Sequence, residues 1–320
     1  MPRIPPFVAP RWLRGGHAQT LYAALFAPRP PVSYQRERWD TPDGDFIDLD
    51  WVGGSRESPL VVLFHGLESG SGGHYAHALA AACRQRGWRF VVPHFRGCSG
   101  EPNRLARAYH AGDSAEIAWI LERLARERSA PCFAVGVSLG GNALLKYLGE
   151  CGAAAGDALR GAAAVCAPMD LAVAGEVLAA GLNRLYTWHF LRSLKPSAIA
   201  RLERFPGSYD LAALRRARNL RGFDDAVTAP LHGFSGVDDY WQRASSKPWL
   251  AGITLPTLLL NSRDDPFYPA AALPDPATLP GCVQAEYPES GGHVGFVSGP
   301  FPGNLNWLPM CLLAFFDSLS

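Results

Sequence analysis

Between Pro131 and Tyr147 the chain reads PCFAVGVSLGGNALLKY. Cys132-Phe133-Ala134-Val135 is a short apolar run of the kind that forms a buried strand, and Ala143, Leu144, Tyr147 and Leu148 recur beyond it at helical spacing. Gly136-Val137-Ser138-Leu139-Gly140 alone joins the two. A strand that passes so abruptly into a helix holds the corner residue in a strained backbone conformation, tolerable only where its neighbours lack a Cβ. The corner is then Ser138, its Oγ pushed out at the carboxyl edge of a sheet. The N–H of Leu139 opens the helix toward whatever that oxygen meets. G-x-S-x-G also occurs as an ordinary turn, so the reading depends on partners further along the chain.

Around this corner, strands and helices alternate. Tyr34–Trp39 and Phe46–Val52 alternate apolar and polar residues about Thr41-Pro42-Asp43-Gly44, which predicts a hairpin. Apolar strands are expected at Pro59–Phe64, Arg89–Pro93, Gly161–Cys166, Pro256–Leu260 and 282–287. Helices are expected over Tyr75–Gly87, with Gly87 as its C′ residue, over 112–128, and at the close over 306–319. This alternation predicts an α/β fold, a mostly parallel central sheet with helices on both faces, with 1–320 as a single domain. From Leu171 to Gly252 the strand signal stops, while helical patterns run through Val173–Leu194 and Leu211–Leu220. The segment 171–252 is therefore expected to be a helical cap over the sheet edge that carries Ser138. Residues 1–30, rich in proline and aromatics, are expected to wrap the surface, with His17 satisfying a local turn.

Charge narrows the partners. The formal net charge is +1, with acids and bases intermixed, so no basic stripe points to nucleic acid. Arginine-rich pieces such as Arg201–Arg204 and Arg215–Arg221 alternate with apolar residues and read as solvated helix faces. The 7 cysteines form no C-x-x-C pair and read as reduced. The amino-terminal residues lack the apolar core of a secretory signal, and no run is apolar and long enough to span a bilayer. A cytoplasmic protein without an integral membrane segment is expected. Nothing in the sequence sets an oligomeric state.

Two later loops supply the partners of Ser138. Asn261-Ser262-Arg263-Asp264-Asp265-Pro266 follows a late strand, and Gly291-Gly292-His293-Val294-Gly295 follows the last one. Ser, then Asp, then His is the order in which a serine nucleophile, its orienting acid and its base appear when the serine sits on a strand-to-helix corner. Asp265, four residues before Pro269, is the favoured acid; Asp264 is the alternative, otherwise capping the turn or accepting backbone N–H groups. An oxyanion hole would pair the N–H of Leu139 with that of Leu67 in His65-Gly66-Leu67. His65 is expected to pack under its loop and bond backbone, and Arg96-Gly97-Cys98-Ser99-Gly100 to form a turn at the pocket floor. His65, His74, His77 and His94 lack the spacing of a metal site, so neither metal nor cofactor is expected.

The stretches HGLE (65–68), HFRGCSGEPNR (94–104), GVSLGGNALLKYL (136–148), NSRDDPF (261–267) and GGHVGFV (291–297) resemble the YheT-like family of the α/β-hydrolase superfamily, related to abhydrolase-domain lipases. The resemblance runs from GGHAQTLYA (15–23) to the final helix. It implies an α/β-hydrolase fold and a serine carboxylesterase using Ser138, an aspartate of the 264–265 pair and His293. A small acyl ester of short to medium chain is the expected substrate. Thioesterase, acyltransferase or amidase chemistry would use the same three residues. A binding protein on a retired scaffold would have no reason to keep all of them.

Overall fold

The computed structural model describes residues 5–126 and 129–319. Helix α1 (Gly16–Leu25) comes first, then the hairpin of β1 (Gln35–Asp40) and β2 (Phe46–Val52), paired with Asp40 opposite Phe46. The turn between them closes through Thr41 N–H to Asp45 O at 3.0 Å, with Gly44 at φ 86°. There follow β3 (Leu60–Phe64), α2 (His74–Gln85), β4 (Arg89–Pro93), α3 (Ser114–Arg126), β5 (Cys132–Val137), α4 (Leu139–Cys151), the short α5 (Ala155–Ala158) and β6 (Gly161–Val165). Residues 127–128 of the helix expected over 112–128 lie outside the described residues. Gly87, at φ 69°, terminates α2 as its sequence predicts.

A helical stretch follows: α6 (Leu171–Leu178), α7 (Arg184–Arg204), α8 (Leu211–Arg216), α9 (Leu220–Phe223), α10 (Ala229–Leu231) and α11 (Val237–Ala244). Here two expected helices are corrected. The pattern over Val173–Leu194 is two helices, because Gly181 takes φ 52° and breaks it, and the second runs on to Arg204 with Pro196 inside. The one over Leu211–Leu220 stops at Arg216, and Asn219 caps a new start by accepting the Gly222 N–H. Strands β7 (Thr257–Leu260) and β8 (Val283–Glu286) and helix α12 (Trp307–Asp317) complete the chain. No helix among the described residues is long and apolar enough to cross a membrane.

The strands form one sheet in the order β1-β2-β4-β3-β5-β6-β7-β8, antiparallel through β1, β2 and β4 and parallel from β4 onward. Each central strand is buried on both faces, which explains its unbroken apolar run. Leu60, Val62 and Phe64 of β3 point to one side, against Ile117, Leu121 and Leu144 of α3 and α4. Val61 and Leu63 point to the other, against Leu79 of α2 and Leu312 and Phe316 of α12.

Strand order decides where a site can form. From β3 the chain crosses to β4 on one side, and from β4 it returns to β5 on the other side of β3. The connections therefore part above the carboxyl ends of β3 and β5, opening a crevice there. Ser138 follows β5 and Gly66-Leu67 follows β3, so both lie at that crevice.

Candidate active site

Ser138 has φ 53° and ψ −120°, a conformation that non-glycine residues rarely adopt. Its neighbourhood enforces the strain. A Cβ on Gly136 would come within 2.5 Å of Gly140 O, and one on Gly140 would overlap Phe64 O and lie 2.6 Å from His65 O. The Ser138 N–H is meanwhile fixed to Val165 O on β6 at 2.9 Å. Helix α4 thus begins immediately, and Leu139, its first residue, carries an N–H with no intrahelical acceptor.

The structure brings Ser138, Asp265 and His293 together. His293 Nε2 lies 2.9 Å from Ser138 Oγ, and Nδ1 lies 2.9 Å and 3.1 Å from the two oxygens of Asp265. The Asp265 carboxylate is buried, and its Oδ1 also accepts the Phe267 N–H at 2.8 Å. The Phe267 ring stacks on the imidazole with centroids 4.1 Å apart. Asp264 is not brought to His293. Its Oδ1 accepts the Gly292 N–H at 2.8 Å, bracing the histidine loop from behind.

Sequence reasoning missed the support beneath His293. Residues 1–30 do more than wrap the surface, because Gly15-Gly16 lets α1 press directly onto the Asp264 backbone, where a Cβ on Gly16 would overlap the carbonyl. Thr20 Oγ1 then accepts the His293 N–H at 2.8 Å while donating to Gly16 O at 2.7 Å. Gln19, fully buried, accepts the Val297 N–H at 2.8 Å. His17 does not serve a local turn. Its ring stacks on Tyr186 of α7, with Nδ1 3.1 Å from the hydroxyl. The only advance signal for any of this was the glycine pair Gly15-Gly16 before HAQT.

The loop after β3 is tuned by two tyrosines. Tyr75 Oη accepts the Gly66 N–H at 3.0 Å and Tyr109 Oη accepts the Glu68 N–H at 2.9 Å, while Glu68 takes φ 51°. The Leu67 N–H lies between these anchored amides, and Leu67, Leu139, Ser138 and His293 all border one cavity. His65 lies beneath, with Nδ1–H donating to Gly66 O at 2.8 Å and Nε2 accepting the Phe95 N–H at 3.0 Å. Burial pushes its pKa down to about 3, so it stays neutral. Arg96 turns away from the pocket floor. It is buried against Asp43, Asp45 and Glu116 at 2.8, 3.2 and 2.5 Å, tying the hairpin turn to α3, and only Cys98, Ser99 and Gly100 of its turn reach the cleft.

The histidines that a metal reading would need each have another partner: His74 donates to Val294 O, His77 meets Pro30 O, and His94 meets Asp50. Cys166, Asp265 and His293 do bring ligand-capable atoms within 4.8 Å of one another. In this structure, however, Asp265 and His293 are engaged with each other at 2.9 and 3.1 Å, and burial drives the Cys166 thiol well up. Its Sγ accepts the Val294 N–H at 3.3 Å instead.

Two spaces meet at Ser138. One is a cavity of about 140 Å³ beneath the helical stretch, walled largely by apolar side chains such as Leu178, Phe190, Leu194, Phe223 and Val227. The other is an open cleft of about 890 Å³ between α1 and the start of α7.

An open, mostly parallel sheet with a strained serine at its crevice defines a class, and the comparisons agree: a family profile described as alpha/beta hydrolase fold matches residues 59–300. "Putative esterase YheT" of Escherichia coli (strain K12) is 40% identical over 309 residues, covering 94% of this chain and 90% of that protein. Phospholipase ABHD3 of Homo sapiens is 30% identical over 319 residues, covering 96% and 78%. The chain belongs to the α/β hydrolases and, within them, to the YheT-like family. Among solved structures, the Pyrococcus furiosus esterase Pf2001 superposes with a TM-score of 0.58 at 13% identity, covering 99% of both chains, a likeness of fold alone.

Proposed function

We propose that this protein is a serine carboxylesterase that cleaves short- to medium-chain acyl esters through an acyl-serine intermediate. One observation carries the reading: a single imidazole bridges a strained serine hydroxyl and a buried carboxylate, at 2.9 Å on each side. A hydrogen bond from Nδ1–H to Asp265 leaves Nε2 free to accept a proton. As Ser138 Oγ attacks the acyl carbon, its proton passes to Nε2, and the carbonyl oxygen becomes an oxyanion. The N–H groups of Leu67 and Leu139 receive that charge; losing one such donor typically costs roughly 10²–10³ in rate. Collapse breaks the ester C–O bond, and the alcohol leaves with the proton from His293. Water then attacks the acyl carbon, giving a proton to Nε2; collapse breaks the bond to Ser138 Oγ, which takes that proton back from His293, and the acid is released.

Residues 171–252 act as the cap, and the apolar cavity beneath them takes the acyl chain. The names of the relatives, an esterase and a phospholipase, support ester hydrolysis. A fluorophosphonate probe tests the reading. Wild type should be labelled covalently and Ser138→Ala should not, and a panel of p-nitrophenyl esters, acyl-CoA thioesters and amides should be turned over with esters fastest. Absence of labelling would return the chain to a binding role; preference for thioesters or amides would replace the ester assignment.

A further inference from the structure

The cleft between α1 and α7 has an apolar rim. On one side Leu21, Leu25 and Phe26 are 45%, 63% and 69% exposed; on the other Leu182, Leu185 and Trp188 are 69%, 68% and 59% exposed. The two sides form one surface, because the His17–Tyr186 stack bridges them. From Phe26 the rim continues through aromatic contacts to Tyr22, then Trp12, then Phe301, itself 74% exposed. Among the described residues only three further large apolar side chains are exposed, Val8, Trp249 and Met310. Scattered apolar residues need no explanation, but a contiguous band at the mouth of a cleft marks a docking surface.

Charge says what docks there. The chain as a whole is almost neutral, at +1, yet residues 5–36 and 177–202 contain no aspartate or glutamate. They supply Arg11, Arg14 and Arg29 on one side and Arg184 and Arg192 on the other, all exposed. The Arg192 guanidinium lies 4.8 Å from the centre of the Trp188 ring. Leu and Trp side chains fringed by arginine, with no acid among them, complement a surface of acyl chains beneath anionic headgroups. Leu21, Leu25, Arg29, Leu182 and Leu185 of this rim line the cleft itself, which runs inward to Ser138 and His293.

We propose that the α1–α7 rim seats this protein on lipid bilayers containing anionic phospholipid, so that the cleft opens onto the membrane surface. The proposal goes beyond the esterase reading and does not depend on turnover. Flotation of the full-length Ser138→Ala protein with vesicles tests it without hydrolysis. On phosphatidylcholine mixed about two to one with phosphatidylglycerol, Ser138→Ala should float with the lipid. Raised salt or omission of phosphatidylglycerol should weaken binding about tenfold. Adding Phe26→Glu and Trp188→Glu should lower vesicle partitioning by about tenfold or more. The same pair in the otherwise wild-type chain should leave hydrolysis of a soluble p-nitrophenyl ester unchanged. The proposal is overturned if Ser138→Ala stays with the unbound protein on both vesicles, or if the glutamate pair floats equally. It is also overturned if sedimentation shows a dimer that the glutamate pair dissociates while no vesicle binds, since the rim then belongs to a second copy. None of these results bears on fluorophosphonate labelling, so the esterase reading stands or falls separately.

Discussion

Replacing each of the adjacent aspartates by asparagine separates two carboxylates that the sequence could not tell apart with certainty. Asp265 accepts from His293 Nδ1 at 2.9 and 3.1 Å and from the Phe267 N–H at 2.8 Å. An asparagine there keeps its one carbonyl oxygen on the Phe267 N–H and turns its amide NH₂ toward Nδ1. Nδ1 must then accept, Nε2 carries the hydrogen, and the imidazole cannot take the Ser138 proton. The expected loss in kcat is about 10³–10⁴, or about 4–5.5 kcal/mol of transition-state stabilisation. Asp264 makes a different bond, Oδ1 to the Gly292 N–H at 2.8 Å, which an asparagine oxygen reproduces. Asp264→Asn should therefore cost less than about fivefold, about 1 kcal/mol. The assay is kcat/KM on a soluble p-nitrophenyl ester, with a thermal melt to show that both variants fold. The reasoning would be refuted if Asp264→Asn were the more damaging, or if Asp265→Asn kept more than about a tenth of the wild-type rate.

Three further outcomes follow from the supports of the site. Thr20→Val leaves the part-buried His293 N–H without its acceptor, at about 1 kcal/mol, and should lower kcat about tenfold with little change in KM, whereas Thr20→Ser should restore it. Gly140→Ala drives a methyl group into the carbonyls of Phe64 and His65 and should destabilise the fold by about 3 kcal/mol, read as a lower denaturant midpoint or loss of soluble protein. Burial pushes Asp224 up to about 6 from an ordinary 3.8, so the folded state favours its protonated form. Its contribution is fully present below pH 3.8 and lost as pH rises through 6; Asp224→Asn, which cannot ionise, should therefore raise the melting temperature at pH 8, by up to about 3 kcal/mol of stability, and change it little at pH 4.

The residues legible in the sequence were those whose backbone setting leaves a compositional trace. Gly136 and Gly140 surround Ser138 because any side chain would strike neighbouring backbone, and Gly292 stands at φ 60° beside His293. Tight strand-to-helix corners need small neighbours and positive φ favours glycine, so such sites can be seen in advance. Thr20, Tyr75 and Tyr109 left no trace of this kind. Each acts through one hydroxyl on a backbone N–H, and for Thr20 and His293 the two are 273 positions apart along the chain. The turn at 96–100 forms and reaches the cleft through Cys98, Ser99 and Gly100, but nothing in its sequence told that the Arg96 side chain is drawn to three carboxylates elsewhere. The broken helices at Gly181 and Asn219 show the same limit, since apolar spacing continues through a turn whose backbone departs from helix.

Local covalent geometry and burial were enough for the sequence to determine the alternation of strands and helices, the corner at Ser138, and the chain order in which serine, aspartate and histidine appear. Only the folded chain decided that Asp265 rather than Asp264 meets His293, that an amino-terminal helix holds the histidine loop in place, and that α1 and α7 share one exposed apolar rim. These are relations between side chains on different elements. They depend on how the sheet twists and how its helices pack, and no pattern along a single segment carries that information.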